Sequence, residues 1–156
     1  MGKRLQAELK QTRPLENPEV EVFLNTVRTA DYLLRAEAEV LRAEDLTTPL
    51  YNVLRILRGA GSEGRSCGEI SSRMVTRDSD ITRLIDRLVQ RGLVARERDD
   101  ADRRVVLSRI TERGLALLRR LDQPIASCHQ RLLRHLSAEQ IRTLSRLLEL
   151  ARQPGS

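Results

Sequence analysis

Apolar and polar positions along most of this chain follow the three- and four-residue spacing that is typical of amphipathic helices. The strongest example runs from Ile81 to Gln90, where apolar side chains would line one helix face. The opposite face carries polar and charged side chains, namely Thr82, Arg83, Asp86, Arg87 and Gln90. Gly92 follows at the place where a helix end favours a residue that can adopt positive φ. The pattern therefore predicts a helix with one buried face and one free face.

The same spacing predicts five further helices, each with a recognisable start signal. The first is a long helix over about 18–43, which begins after Asn17 with Pro18, and the second begins at Thr47, Thr48 and Pro49. The third is short and begins at the capping box of Ser66 and Glu69. The fifth begins at Thr111, and the last begins at the capping box of Ser137 and Gln140. Either Thr76 or Asp78 would cap the helix near Ile81. In the fifth helix Pro124 would introduce a bend, and the inward residues would be Leu115, Leu118, Leu121, Ile125, Cys128 and Leu132.

Two short strands, over 93–98 and 104–110, are predicted on either side of a charged tip. The element order is then helix, helix, short helix, helix, two strands, long helix, helix. We expect a mainly α-helical fold with a small β-hairpin as the wing, in which a winged helix-turn-helix lobe covers about 47–110. In such a lobe the helix near Ile81 would be the recognition helix.

Positive charge is concentrated in the second part of the chain. The net charge is +6, residues 1–64 hold 9 basic and 10 acidic side chains, and residues 65–156 hold 19 and 12. A basic excess around the predicted recognition helix and hairpin favours double-stranded DNA as the partner. No segment has the roughly 20 apolar residues of a membrane span, and the N-terminus lacks the apolar core of a signal peptide, so we expect a cytoplasmic protein.

The recognition helix would place its N-terminal side chains against base edges in the major groove. The candidate base-reading residues are Arg77, Ser79, Asp80, Thr82 and Arg83. Arg83 is the candidate for a bidentate contact with guanine, and Arg87, one turn further along, is expected to reach a phosphate. Ser66, at the start of the short third helix, and Arg73 are candidate phosphate contacts, because backbone N–H groups are free at a helix N-terminus.

At the predicted wing the acidic residues would hold the hairpin in shape while an arginine enters the minor groove. The residues involved would be Arg98, Asp102, Arg103 and Arg104. The sequence leaves open which of these arginines reaches the DNA.

Six sequence blocks in order resemble the MarR family (multiple antibiotic resistance regulators). They are LTTPLYNVL at 46–54, EISSRM at 69–74, ITRLIDRL at 81–88, RGLV at 91–94 with Arg96, DRRVV at 102–106, and LSRITERG at 107–114. The resemblance implies one domain over 1–156 and a homodimeric, mostly repressing transcription factor that binds a pseudo-palindromic operator. It also implies dimerisation through the helices at 18–43 and 112–152, release from DNA by a small ligand, and a structural pair of Asp102 with Arg104.

The resemblance further implies a ligand pocket between the lobe and the dimerisation helices, for a small aromatic or phenolic effector. The candidate lining residues here are Phe23, Arg28, Tyr32 and Tyr51. The alternatives are an effector-independent or architectural DNA-binding protein, a winged-helix adaptor for other proteins, and a redox-sensing regulator that uses Cys67 or Cys128. No metal, cofactor or enzymatic activity is expected, because no metal-ligand cluster or nucleophile–base pair appears in the pattern. The glycines of 59–64 satisfy a dinucleotide motif, but they follow a helical pattern rather than a strand.

Overall fold

The computed structural model describes residues 3–12, 17–77, 80–99 and 102–153. Its elements are α1 (Lys3–Glu8), α2 (Pro18–Arg42), α3 (Thr48–Ala60), a short 3₁₀ helix (Gly61–Glu63), α4 (Cys67–Arg73), α5 (Ile81–Gln90), β1 (Val94–Arg98), β2 (Val106–Ile110), α6 (Glu112–Leu133) and α7 (Ala138–Leu150). The predicted fold class is confirmed. The sequence pattern did not predict α1 or the 3₁₀ helix.

Most helices begin at the caps that the sequence indicated. Asn17 accepts a hydrogen bond from the N–H of Glu19 at 2.9 Å, and capping boxes open α4 and α7. Thr111 accepts from the N–H of Gly114 at 3.1 Å at the start of α6. The cap of α5 is Asp80 and not the predicted Thr76, because the helix begins later. Asp78, the other predicted cap, lies outside the described residues.

A single cluster of buried apolar side chains holds the lobe together. The cluster draws residues from α3, α4, α5, β1 and α6, and Leu41 joins it from the end of α2. In α6 the buried stripe includes Leu117, whereas the predicted Leu115 is only half-buried. Gly114 next to it packs directly against the backbone of Leu93, so the first turn of α6 is rotated toward the hairpin. Pro124 lies inside α6, as predicted.

The hairpin is antiparallel and pairs Val94 with Ile110 and Arg98 with Val106. Both strands begin later than predicted. Leu93 lies in the turn that closes α5, because its N–H donates to the carbonyl of Leu88 at 2.9 Å. This bond and a positive φ at Gly92 complete the expected helix stop. The N–H of Val105 donates to the carbonyl of Asp102 at 2.8 Å, which makes 104–105 part of the turn.

α2 and α6 run beside each other and carry the lobe. Nη1 of Arg58 on α3 donates to both carboxylate oxygens of Asp122 on α6 at 2.9 Å, so an ion pair ties the lobe to α6. Beyond the lobe, the first half of α2 and all of α7 expose large apolar side chains. These are Val20, Val22, Phe23, Val27, Tyr32 and Leu34 on α2, and Ile141, Leu144, Leu147, Leu148 and Leu150 on α7. Within the described ranges, no helix has the length and apolar character needed to cross a membrane.

Candidate nucleic-acid interface

α5 is attached to the lobe through its apolar face and leaves its polar face open. Its buried side chains are Ile81, Leu84, Ile85 and Leu88. The opposite face presents Thr82, Arg83 and Arg87 as exposed side chains. Three of the candidate DNA-contacting residues therefore share one free helix face, which is the arrangement a recognition helix requires.

The residues at the start of α5 have different situations. Asp80 is exposed, and its Oδ1 accepts a hydrogen bond from the N–H of Arg83 at 3.1 Å, so its carboxylate already serves as the helix cap. Arg77 is exposed in the turn before the helix. Ser79, the remaining candidate of this group, lies outside the described residues.

An ion pair fixes the first strand of the hairpin to the recognition helix. Nη1 of Arg96 on β1 donates to the carboxylate of Asp86 on α5, and Nη2 donates to the carbonyl of Thr82 at 3.4 Å. The helix and the wing therefore form one unit. The sequence analysis did not assign a role to Arg96, although an acid on the helix and a base on the next strand offered a signal.

The wing turn is organised around Asp102. Its carboxylate accepts from Nε of Arg104 at 3.2 Å and from the Arg104 backbone N–H at 3.0 Å. The Arg104 side chain, and then its backbone N–H, lower the pKa of Asp102. The structure thus contains the pair that the family resemblance implied. Arg98 and Arg103 are exposed on this hairpin.

At the start of α4, Ser66 and Glu69 form a reciprocal capping box. The Ser66 backbone N–H and hydroxyl both donate to the Glu69 carboxylate at 3.0 Å. These bonds lower the pKa of Glu69, which keeps a negative charge at the helix N-terminus. The backbone N–H of Ser66 itself is therefore engaged within the protein, and the Ser66 phosphate contact stays a prediction. Arg73 is exposed and donates to the carbonyl of Glu69 at 3.0 Å.

The turn between α4 and α5 exposes an apolar side chain. Val75 is 83% exposed, and its backbone N–H donates to Oδ1 of Asn52 on α3 at 2.8 Å. Asn52 thus holds the beginning of this turn against α3. It is a polar residue within a largely apolar helix, which is the one sequence signal that could have indicated this role.

The four candidate ligand-pocket residues do not meet in one place. Tyr51 is buried in the lobe core beneath the guanidinium of Arg55, and burial raises the pKa of its hydroxyl. Phe23 is 66% exposed on α2. Only Arg28 and Tyr32 line a common cavity, of about 730 Å³, which α1, α2, the end of α6 and α7 enclose. Phe23 and Tyr51 are not among the residues that line this cavity.

The cysteines occupy ordinary packing positions. Cys128 is buried in α6 and Cys67 is half-buried at the start of α4, and both are free thiols. Within the part of the chain that the structure describes, no three His, Cys, Asp or Glu side chains gather where they could hold a metal ion.

The chain is similar in sequence to known transcriptional regulators. A family model described as MarR family matches residues 46–106. The HTH-type transcriptional repressor IacR of Pseudomonas putida is 34% identical over 111 residues, which cover 71% of this chain and 65% of that repressor. The chain thus spans slightly less than two thirds of the length of that relative.

Solved structures of MarR proteins are similar to this chain over most of its length. A MarR transcription factor from Planctomyces limnophilus is 41% identical with a TM-score of 0.67, and the match covers 90% of this chain and 99% of that chain. A cysteine-to-serine mutant of MarR from E. coli, solved in complex with operator DNA, is 27% identical with a TM-score of 0.81, over 90% of this chain and 100% of that chain. The chain therefore belongs to the MarR family.

Proposed function

We propose that the protein is a sequence-specific, DNA-binding transcriptional repressor of the cytoplasm that acts as a homodimer on a pseudo-palindromic operator. The observation that carries the proposal is the free face of α5, with Thr82, Arg83 and Arg87 exposed on a helix whose other face is buried. The tie from Arg96 to Asp86 adds a wing in fixed relation to that face. The operator complex of the E. coli relative and the repressor IacR support the same reading.

In this proposal the exposed arginines divide the work of recognition. Arg83, in the first turn of α5, makes a bidentate contact with a guanine, and Arg87 binds a phosphate one turn further along. On the wing, Asp102 holds Arg104 in the turn, which leaves Arg103 and Arg98 as the side chains that reach the minor groove. Arg77 and Arg73 add phosphate contacts at the helix-turn-helix.

The homodimer is proposed from the apolar side chains that α2 and α7 leave exposed. Monomeric proteins rarely expose contiguous apolar surface of this kind, and a second copy of the same surface covers it with two-fold symmetry. Two copies of α5 would then face half-sites about one helical turn apart.

The experiment that tests the function measures binding to the intergenic DNA beside the gene, by footprinting and then by fluorescence anisotropy on the protected site. We expect one palindromic footprint whose affinity falls steeply with salt through counterion release. R83A should weaken binding by about 1–3 kcal/mol and relax the preference at a single base pair in each half-site. R87A should weaken binding to all DNA sequences equally, and it should reduce the slope of log affinity against log salt concentration by about one.

The control is R146A, which removes an exposed arginine of α7. Its operator affinity should stay within about twofold of wild type, because surface substitutions away from the DNA-contacting residues have small effects. Broad protection without a palindrome would instead indicate an architectural protein. R83A with unchanged affinity and sequence preference would refute the recognition role of α5.

A small aromatic or phenolic effector is proposed for the cavity beside α2. Arg28 and Tyr32 supply a cation and a hydroxyl there, and leucines of α1, α2, α6 and α7 supply the apolar lining. A panel of phenolic acids should include one that releases the operator, and R28A should weaken this release while R146A should not. If no compound alters operator binding at millimolar concentration, the effector part of the proposal fails.

A further inference from the structure

The arginine that follows α5 binds the end of α2 through main-chain atoms. Nη1 of Arg91 donates to the carbonyl of Asp45 at 2.7 Å, and Nη2 donates to the carbonyl of Glu44 at 2.8 Å. Both bonds are short, and the charge on the donor strengthens them. Because the acceptors are backbone atoms, the contact fixes the position of the chain itself and not only that of a side chain.

The segment that Arg91 binds is itself held in place. Leu41 and Leu46, on either side of it, are buried. The N–H groups of Glu44 and Leu46 both donate to the carbonyl of Leu41, at 3.1 and 3.2 Å, so the chain turns tightly at the C-terminal end of α2. A cation at this end also interacts favourably with the helix dipole. Arg91 thus joins the recognition helix to the end of α2 rather than to a loose loop.

The same segment is connected to α6. The carboxylate of Glu44 accepts from Nε of Arg120 at 3.2 Å and from Nη2 at 3.0 Å, which is a forked pairing. The nearby positive charges, Arg120 first, lower the pKa of Glu44. The end of α5, the end of α2 and the middle of α6 therefore meet at residues 44–45.

We propose that Arg91 is a positioning residue that sets the placement of α5 relative to α2 and α6, and thereby the operator spacing that the dimer accepts. This inference rests on the proposed function above. Since α2 and α7 join the two copies in that function, the attachment of α5 to α2 determines how far apart the two recognition helices lie and how they are rotated. Arg91 need not touch DNA for this role.

Arginine suits the contact better than lysine does. Its planar fork reaches two carbonyls at once, whereas a lysine ammonium on a flexible stem fixes one acceptor without setting the angle. R91K therefore keeps the charge and loses the geometry. It provides a matched variant that separates positioning from simple electrostatic attraction to DNA.

The test measures the affinity of the full-length dimer for a series of operators whose half-sites are moved closer or further apart by one or two base pairs, and for a single half-site. A two-base-pair change rotates one half-site by about 70° relative to the other, because B-DNA has about 10.5 base pairs per turn. Wild type should lose affinity by about tenfold or more at that change, since one recognition helix then leaves its groove.

The affinities of R91A for the operators of the series should lie within about threefold of one another, because a loosely attached helix adapts to each spacing. Its affinity for the single half-site should stay within about twofold of the wild-type value. R91K should fall between R91A and wild type. R120A, which cuts the link to α6, should shift the preference in the same direction, and R91A/R120A should be no more permissive than R91A alone, since both act through residues 44–45.

R87A is the contrasting control, because loss of a phosphate contact lowers affinity equally at every spacing. If R91A behaves like R87A, or keeps the spacing preference of wild type, the inference is overturned although the proposed function stands. If wild type binds no palindrome, both fail together. Thermal melting checks that each variant folds, and R91K decides the question if R91A does not fold.

Discussion

Gly114 shows how a single side chain would disturb the junction of α6 with the hairpin. A Cβ added there would lie 2.4 Å from the carbonyl oxygen of Leu93 and 2.7 Å from Cγ1 of Ile110. One of these contacts is with the backbone, so rotation of a side chain cannot relieve it. The close approach lets the first turn of α6 pack directly on the base of the hairpin, between Leu93 and the end of β2.

We expect G114A to destabilise the protein by about 1–3 kcal/mol or more, as overpacking of a filled site does. Urea denaturation followed by circular dichroism measures the change. G59A is the matched control: Gly59 lies within α3, and an added Cβ there meets no heavy atom within 4 Å. It should be neutral or stabilise the protein by about 0.4–1 kcal/mol, because alanine restricts the unfolded chain. Equal effects of the two substitutions would contradict this account.

At the scale of single residues, local signals were predictable and distant partners were not. Ser66 and Glu69, or Ser137 and Gln140, are three residues apart, so the capping boxes could be recognised before the fold was known. Arg91 binds carbonyls that are more than forty residues earlier in the chain. Nothing local to Arg91 marks it, since the contact exists only after α5 packs beside the end of α2.

At the scale of elements, the amphipathic helices were predicted closely because each has an apolar stripe and a cap. α2 was expected over about 18–43 and is found at Pro18–Arg42. The missed α1 has six residues, too few for a periodic stripe, and Leu5 is the one described side chain in it that becomes buried. Its helical form depends on tertiary contact, including the ion pair of Glu8 with Arg28 at 3.2 Å, and short helices of this kind are marginal alone.

The connection between α2 and α6 at Glu44 should make part of the stability depend on pH. The pKa of Glu44 is lowered in the folded protein from its usual value of 4.5, so its charged form is favoured there. Its contribution is therefore present at neutral pH and is lost as the pH falls through the folded-state pKa. The pair lies at the surface, where solvent screens it, so its contribution is small.

We expect E44Q to be less stable than wild type at about pH 7, and the difference to be smaller at about pH 2, because the carboxyl takes up its proton as the pH falls. Urea midpoints at both pH values measure the difference. In the R120A background, E44Q should have little effect at either pH, because its main partner is absent. A difference of the same size at both pH values would show that Glu44 acts through packing and not through its charge.

At the scale of the whole molecule, apolar surface is divided unevenly. The lobe buries its apolar side chains in one cluster, whereas α7 has no buried residue among those described and leaves five large apolar side chains exposed. Sequence periodicity predicted the helices of the lobe and α7 alike. It could not tell which apolar faces stay exposed in the single chain, because a helix that packs within its own chain and one that packs on a second copy have the same pattern.

The apolar side chains that α2 and α7 leave exposed lead to a prediction about the oligomeric state. Phe23 and Leu147 are 66% and 53% exposed in the single chain, so F23D and L147D should not disturb its core. A charge buried in a dimer interface without a partner costs several kcal/mol, and we therefore expect both variants to become monomers and lose operator affinity. Multi-angle light scattering measures the mass, and R142D, which places the same residue on the polar face of α7, should remain dimeric. If F23D and L147D also remain dimeric, α2 and α7 do not form the interface, and the spacing of the two recognition helices must be set elsewhere.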